Sequence, residues 1–223
     1  MKVSSKKQIR VLVTAGPTRA YLDDVRYLTN FSTGELAYET VRRFTRSKKL
    51  DVSLVVGPSC FDFRSLKLKR LSHIQTTEQM QQQVLRECQL FKPQVAIFSA
   101  AVLDFTPTRV LKEKRRSVGN WKIELKPTPK IIDEVGKRFP HIRRIGFKLE
   151  TTRLSPAQAK RLAIETLKAK NLDALCFNFL PDIRLNGHKA LLVSRCGKVG
   201  VGMTKKEIAQ WLYEQTLELN SLI

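Results

Sequence analysis

Apolar, β-branched residues crowd positions 9–14 (IRVLVT), and the run ends in Ala15-Gly16-Pro17, which predicts a buried strand closed by a turn. Residues 34–46 then set Leu36, Ala37, Val41 and Phe44 at helical spacing. The Ser32-Thr33-Gly34-Glu35 segment before them reads as a capping box. A second apolar run at 52–56 (VSLVV) stops at Gly57-Pro58 and predicts another strand. Thr76 with Gln79 caps a helix expected to reach about residue 91, and 95–98 (VAIF) predicts a third strand. Strand and helix alternating through short turns is the pattern of parallel βαβ units.

Residues 104–120 break the pattern. Pro107, Gly119 and the cluster Lys112-Glu113-Lys114-Arg115-Arg116 carry no sustained period and predict a mobile surface loop. Beyond it, 121–125 alternates like a strand, 129–139 reads as a helix, and 142–147 as a strand. Ser155-Pro156-Ala157-Gln158 opens a helix expected to run to residue 170, with proline at its first position. Short strands at 174–177 and 190–193 follow, and Thr204 with Glu207 caps a C-terminal helix. The expectation is α/β: one doubly wound, mostly parallel, Rossmann-like sheet with helices on both faces. It covers residues 1–223 as a single nucleotide-binding domain, with a basic flap at about 104–120.

Composition narrows the class. Hydrophobic residues are 42% and charged residues 27% of the 223, ordinary globular usage. The longest apolar run, 95–103, is nine residues with Ser99 inside it. A membrane span needs roughly 20. The polar opening, residues 1–7, does not read as a signal peptide, so a soluble cytoplasmic protein is expected. Cys60, Cys88, Cys176 and Cys196 form no C-x-x-C pair, and His73, His141 and His188 lack ligand spacing, so no protein-held transition metal is expected. Charge is the unusual feature: 41 Lys+Arg against 20 Asp+Glu give +21. Residues 109–148 hold 13 basic and 4 acidic side chains, contributing +9 of it. Such an excess suits polyanionic ligands, and a nucleic-acid-binding protein on a Rossmann-like fold stands as the alternative reading. Against it, no aromatic-basic platform such as an RNP motif is present.

Ligands of open α/β sheets sit beyond the carboxyl ends of the strands, here the loops 14–34, 99–119 and 147–153. The first contains glycine and hydroxyl residues before a helix start, which could cradle a phosphate. G-x-G-x-x-G and the P-loop are both absent after the first strand. Tyr21, Tyr27, Tyr38 and Tyr213 lack a lysine four residues on, which removes the short-chain reductase reading. No G-x-S-x-G elbow offers a nucleophile. The remaining Asn, Ser, Thr, Lys and Arg suit chemistry in which substrates supply nucleophile and leaving group.

A series of motifs then resembles one family. Thr14-Ala15-Gly16-Pro17-Thr18-Arg19 is followed by Asp23, Val25-Arg26-Tyr27-Leu28-Thr29-Asn30 and Ser32-Thr33-Gly34. Ala100-Ala101-Val102-Leu103-Asp104-Phe105, Glu113-Lys114, Pro127-Thr128-Pro129-Lys130-Ile131, Gly146-Phe147 with Glu150-Thr151, and Lys170-Asn171-Leu172-Asp173 continue in order. The series spans nearly the whole chain and is similar to the phosphopantothenate–cysteine ligases (phosphopantothenoylcysteine synthetases) of coenzyme A biosynthesis. The resemblance is to a stand-alone form, without the family's flavin-dependent decarboxylase module, so no flavin is expected.

The resemblance implies a ligase of phosphopantothenate and cysteine. CTP, favoured over ATP, would activate the carboxylate as an acyl-nucleotidylate with Mg²⁺ on the phosphates. It places Asn30 and Lys114 as catalytic residues, with Lys114 the flap cation at the transition state. Arg26, Ser32, Thr33 and Gly34 fall on the substrate side. Gly16, Phe98, Ser99, Ala100, Asp104, Lys114, Pro129, Lys130, Ile131, Ile132, Phe147 and Lys170 fall on the nucleotide side. It also implies a homodimer with the site at its interface, no membrane partner, and at most non-specific contact with nucleic acid. Some positions depart from the family pattern: Glu35 where lysine is common, Arg115-Arg116-Ser117 in the flap, Lys148-Leu149 where a small pair is usual, Thr166 where a lysine is frequent, and Phe177-Asn178-Phe179.

Overall fold

The computed structural model describes residues 8–184 and 187–221; the polar opening at 1–7 lies outside them. Among the described residues five α-helices flank a mixed sheet of eight strands. The strands are β1 (Ile9–Ala15), β4 (Leu50–Val56), β5 (Arg70–His73), β6 (Val95–Phe98), β9 (Arg143–Glu150), β10 (Ala174–Arg184), β11 (Gly187–Ser194) and β12 (Val199–Gly202). Their spatial order is β12-β11-β10-β9-β6-β1-β4-β5. The run from β5 to β10 is parallel, and β11 and β12 extend it antiparallel. This is the doubly wound order, and it reverses direction between β1 and β6.

Burial on both faces follows from the β-branched runs. Val11 and Val13 of β1 face one core, with Ala37, Val41 and Phe44 of α1 (Glu35–Thr45) and Ile208 and Leu212 of α5 (Lys205–Asn220). Leu12 faces the other, with Met80 and Val84 of α2 (Thr77–Leu90) and Val135 of α3 (Ile131–Arg138). A third cluster seats Ala163 and Leu167 of α4 (Pro156–Ala169) on Leu175, Phe177 and Val193. The expected helix starts at Thr76 with Gln79 and at Ser155 with Gln158 both form, each as a full capping box. Thr204 caps α5 by accepting the Glu207 N–H.

Several expectations need correcting. The N-cap of α1 is Gly34 at φ 80, with no side-chain cap, so Ser32-Thr33-Gly34-Glu35 is not a capping box. Glycine has no side chain to cap with, and the Thr33 hydroxyl one residue earlier accepts the Glu35 N–H at 3.3 Å instead. Residues 121–124 are not a strand. The pairing instead joins β7 (Phe105–Pro107), inside the expected loop, to β8 (Leu125–Pro127). The strand at 174–177 runs on to Arg184 because β11 supplies antiparallel partners past a bulge at Asn178/Ile183. A hairpin, β2 (Arg19–Tyr21) with β3 (Tyr27–Thr29), fills the first loop.

Candidate active site

The turns after β1 and β6 are stitched together by short polar contacts. The Thr14 hydroxyl accepts the Ala100 N–H at 3.3 Å, and the Ala101 N–H donates to the Gly16 carbonyl at 2.9 Å. Thr18, fully buried, accepts the Leu103 N–H at 3.0 Å and shares a hydrogen bond of 2.9 Å with the Thr77 hydroxyl. Gly57 must lack a side chain here, since a Cβ would lie 1.9 Å from the Pro17 carbonyl oxygen.

Beyond these strand ends opens a cleft of about 720 Å³. One wall is the turn from Ala100 to Asp104 with Asn30; another is the start of α3, Pro129 to Ile132. The third is Gly146 to Leu149 on β9, with Thr166 and Lys170 of the α4 end. Lys130 pairs with Asp104, and Lys148 Nζ lies 3.6 Å from Glu150 and over the Phe177 ring at 5.9 Å. Three lysines and one aspartate line the cleft, so it favours an anionic occupant.

Asn30 donates its amide nitrogen to the carbonyls of Ala101 (3.3 Å) and Val102 (3.0 Å). Both amide hydrogens are thereby used, and the acceptor oxygen is left for the cleft. A charge-opposing role for Asn30 requires one hydrogen, that on the longer bond, to transfer to substrate.

Lys170 is held by a helix terminus. Asn171 takes the left-handed conformation (φ 49), and Leu172 N–H donates to the Leu167 carbonyl at 2.9 Å, a Schellman-type closure. Asp173 then accepts the Arg144 N–H at 2.8 Å. The segment Lys170-Asn171-Leu172-Asp173 is thus a stop signal that points one lysine at the cleft.

The expected nucleotide-side residues Phe98, Ala100, Asp104, Pro129, Lys130, Ile131, Ile132, Phe147 and Lys170 gather here with Asn30. Phe147 also packs on the first core, so it serves both cleft and fold. Gly16 lies behind the wall at φ 70, beneath the Pro58 carbonyl, and Ser99 sits between two lining residues. Arg26, Ser32, Thr33, Gly34 and Lys114 are outside the lining. The flap is instead fastened to the β2–β3 turn. Asp23, buried, accepts N–H groups of Val25 (3.0 Å), Arg26 (2.8 Å) and Arg115 (3.2 Å), and pairs with the Arg26 guanidinium at 2.6 Å. Burial raises its pKa, but these donors outweigh burial and hold the carboxyl below its ordinary value. Arg26 and Arg115 both face the Trp121 ring, at 5.7 and 5.3 Å.

Glu35 forms an ion pair with Lys205 of α5, which neutralises the acid that departs from the family pattern. Thiol nucleophiles find no support in the core: burial pushes Cys88 up to about 12 and Cys176 up as well. Among the described residues no group of three His, Cys, Asp or Glu could hold a metal ion, and no helix is long and apolar enough to cross a membrane. Sequence reasoning gave Asp23 no role, although its bonds to Val25 and Arg26 are local, and passed over Arg144 and Gly136, which meet only through the fold.

The family described as the DNA/pantothenate metabolism flavoprotein C-terminal domain matches residues 6–219. The chain belongs to this family. It is 31% identical over 207 residues to the Coenzyme A biosynthesis bifunctional protein CoaBC of Thermococcus kodakarensis, covering 92% of this chain and 50% of that protein. The Bacillus subtilis CoaBC is 34% identical over 178 residues, 79% of this chain and 41% of that protein. The chain thus spans about half the length of the curated relatives it matches. Among solved structures, the DNA/pantothenate metabolism flavoprotein of Streptococcus pneumoniae superposes with TM-score 0.79 at 26% identity, over 94% of this chain and 99% of that one. The C-terminal domain of a CoaBC protein gives TM-score 0.74 at 28% identity, over 96% of each. The family reached from the motif series and the family reached by comparison are the same.

Proposed function

We propose that this chain carries the phosphopantothenate–cysteine ligase step of coenzyme A biosynthesis. The observation that carries the proposal is the cationic cleft at the β1/β6 reversal, lined by the same segments whose motifs resemble that ligase family. The chain's similarity to CoaBC proteins supports the same reading.

A carboxylate is a poor acyl donor because its carbonyl is electron-rich and oxide is a poor leaving group. In the proposed reaction a carboxylate oxygen of phosphopantothenate attacks the α-phosphorus of a nucleoside triphosphate, CTP favoured over ATP, and pyrophosphate leaves. The amine of cysteine then attacks the acyl carbon, the nucleoside monophosphate departs, and an amide forms. Negative charge crowds both the first attack and the departure, so the protein's work is electrostatic and positional. Lys130, Lys148 and Lys170 hold the phosphate-rich end. Lys114, on the flap, moves in to meet the charge of the transition state. Asn30 orients the acyl group against the turn that it already braces.

Mg²⁺ belongs to the substrate nucleotide. Asp104 is the one carboxylate among the lining residues, so the ion rides on phosphate oxygens rather than in a protein cage. Arg26 serves the phosphopantothenate side, a role that requires it to share or leave Asp23. A homodimer with the site at its interface accords with Phe31, which lines the cleft next to Asn30 while its ring is fully exposed in one chain.

Pyrophosphate release tests the proposal, measured with phosphopantothenate and Mg²⁺, with CTP or ATP, and with or without cysteine. Release that needs both acid and nucleotide, with amide product only when cysteine is present, is the expected result. Folded protein that releases none would overturn it, and steeply salt-dependent nucleic-acid binding by the same sample would then favour the alternative.

A further inference from the structure

Arg144 is 7% exposed, a guanidinium almost wholly withdrawn from water. Its Nη1 donates to the Ile132 carbonyl at 3.0 Å and its Nη2 to the Asn171 carbonyl at 2.8 Å. Ile132 lies in the first turn of α3; Asn171 immediately follows Lys170 at the end of α4. One rigid planar fork therefore ties together two cleft walls that no backbone pairing joins. Its seat is cut to shape, because a Cβ on Gly136 of α3 would lie 2.1 Å from Nη1 and 2.3 Å from Cζ. The opposite side is fixed too, with the Arg144 N–H on Asp173, which also receives the Arg143 guanidinium at 3.3 Å. Burial lowers the pKa of Arg144, while Asp173 and Asp133 oppose that shift. Burying a cation merely to fill a core is unfavourable, and a Leu or Met would fill the space at less cost.

We infer that Arg144 is a positioning residue for the nucleotide side of the cleft: its guanidinium, seated on Gly136, clamps the start of α3 to the end of α4. Lys130 and Lys170 thereby keep a constant separation. The inference rests on the nucleotide reading of this cleft. It separates cleft geometry from chemistry, since Arg144 is not among the residues that line the cleft. The chain uses an arginine here because one ammonium point charge cannot satisfy two carbonyls on different elements in fork geometry.

Two independent substitutions test it. Arg144→Met removes the fork, and Gly136→Ala displaces it without altering any charge. In folded protein each raises the nucleotide KM about tenfold while leaving the cysteine KM and kcat near wild type, the signature of walls set slightly apart. The double variant is no worse than the poorer single one, because both act through one guanidinium. Arg144→Lys, which can keep one of the two bonds, recovers part of the loss. Amide hydrogen exchange in the absence of any nucleotide gives the second readout: the amides of Asp133 and Glu134 and those of Lys170 and Asn171 exchange faster together in both variants. Unchanged nucleotide KM with unchanged exchange at either wall would overturn the inference. An equal loss in every kinetic constant, with exchange raised across the whole sheet, would also overturn it and show a purely structural arginine. If wild-type protein takes no nucleotide, the functional reading falls on that result, and without coupled exchange the clamp falls as well.

Discussion

Replacing Thr18 by valine removes one oxygen and preserves the shape of the side chain. That oxygen accepts the buried Leu103 N–H at 3.0 Å and bonds the Thr77 hydroxyl at 2.9 Å. Valine leaves the Leu103 donor without a partner in a place water does not reach. An orphaned buried donor costs about 1–3 kcal/mol, and the lost hydroxyl pair adds about 1 kcal/mol. For a chain of this size that corresponds to a fall in melting temperature of roughly 4–16 °C. Thr77→Val makes the contrast. It removes only the hydroxyl pair, since Thr18 still accepts from Leu103, and costs about 1 kcal/mol. Urea denaturation of both variants gives the comparison, with the slope held equal so that a midpoint shift reports stability. The turn freed in the Thr18 variant is the one braced by Asn30, so pyrophosphate release falls with it. Thr18→Val as stable as wild type, or Thr77→Val as the costlier of the two, would refute this account of how the two turns are joined.

Other outcomes follow from the same geometry. Lys114→Gln abolishes turnover while circular dichroism and melting stay at wild-type values; wild-type turnover would remove this lysine from the chemistry. Gly34→Ala forces a side chain into φ 80 and sets its Cβ 2.5 Å from the Ser59 hydroxyl, costing about 1–2 kcal/mol for the backbone alone. Adding Ser59→Gly relieves the clash but not the backbone share, so urea midpoints of the pair rank between wild type and Gly34→Ala. His188 is buried, and neither ring nitrogen has a partner among the described residues; burial lowers its pKa and Lys205 lowers it further, against Glu35. Its contribution to stability is intact above about pH 6.5 and is lost as pH falls through the lowered folded value. His188→Met therefore flattens the decline in urea midpoint on that side of neutrality, and an unchanged slope would exclude His188 as its source. Phe31→Ser shifts sedimentation from dimer to monomer if this ring meets a second copy.

The central strands and the longer helices were legible because each depends on a short window of sequence. Residues 95–98 are strand as read, and Thr76 with Gln79 opens α2 as read. What escaped depends on partners distant in sequence. Three residues at 105–107 become a strand only because 125–127 return beside them, and β10 lengthens only because β11 does. Gly34 carried the wrong meaning, since a capping pattern does not reveal the sign of φ. The cleft itself was partly legible: the motifs marked its lining, yet Lys148 came to attention only as a departure, and Arg144 not at all. A buried arginine is recognised by what it bridges, and Ile132 and Asn171 are close only in space.

The excursion from residue 104 to residue 128 leaves and re-enters the molecule at a single point. The Thr128 N–H donates to the Asp104 carbonyl at 2.9 Å, and β7 lies against β8 directly above that closure. The strands of the main sheet on either side owe nothing to what happens between those two residues. The segment thus behaves as a cassette with a zipped neck. Beyond the neck it is tied again to the β2–β3 turn, by the Leu111 N–H on the Leu22 carbonyl and the Arg115 N–H on Asp23, so only the stretches between these ties can change length for about 0.6 kcal/mol per doubling, while α3 and β9 stay in place. Evolution, or an engineer, can retune the lysine-bearing arm as long as Asp23, Arg26 and Arg115 keep its second anchor.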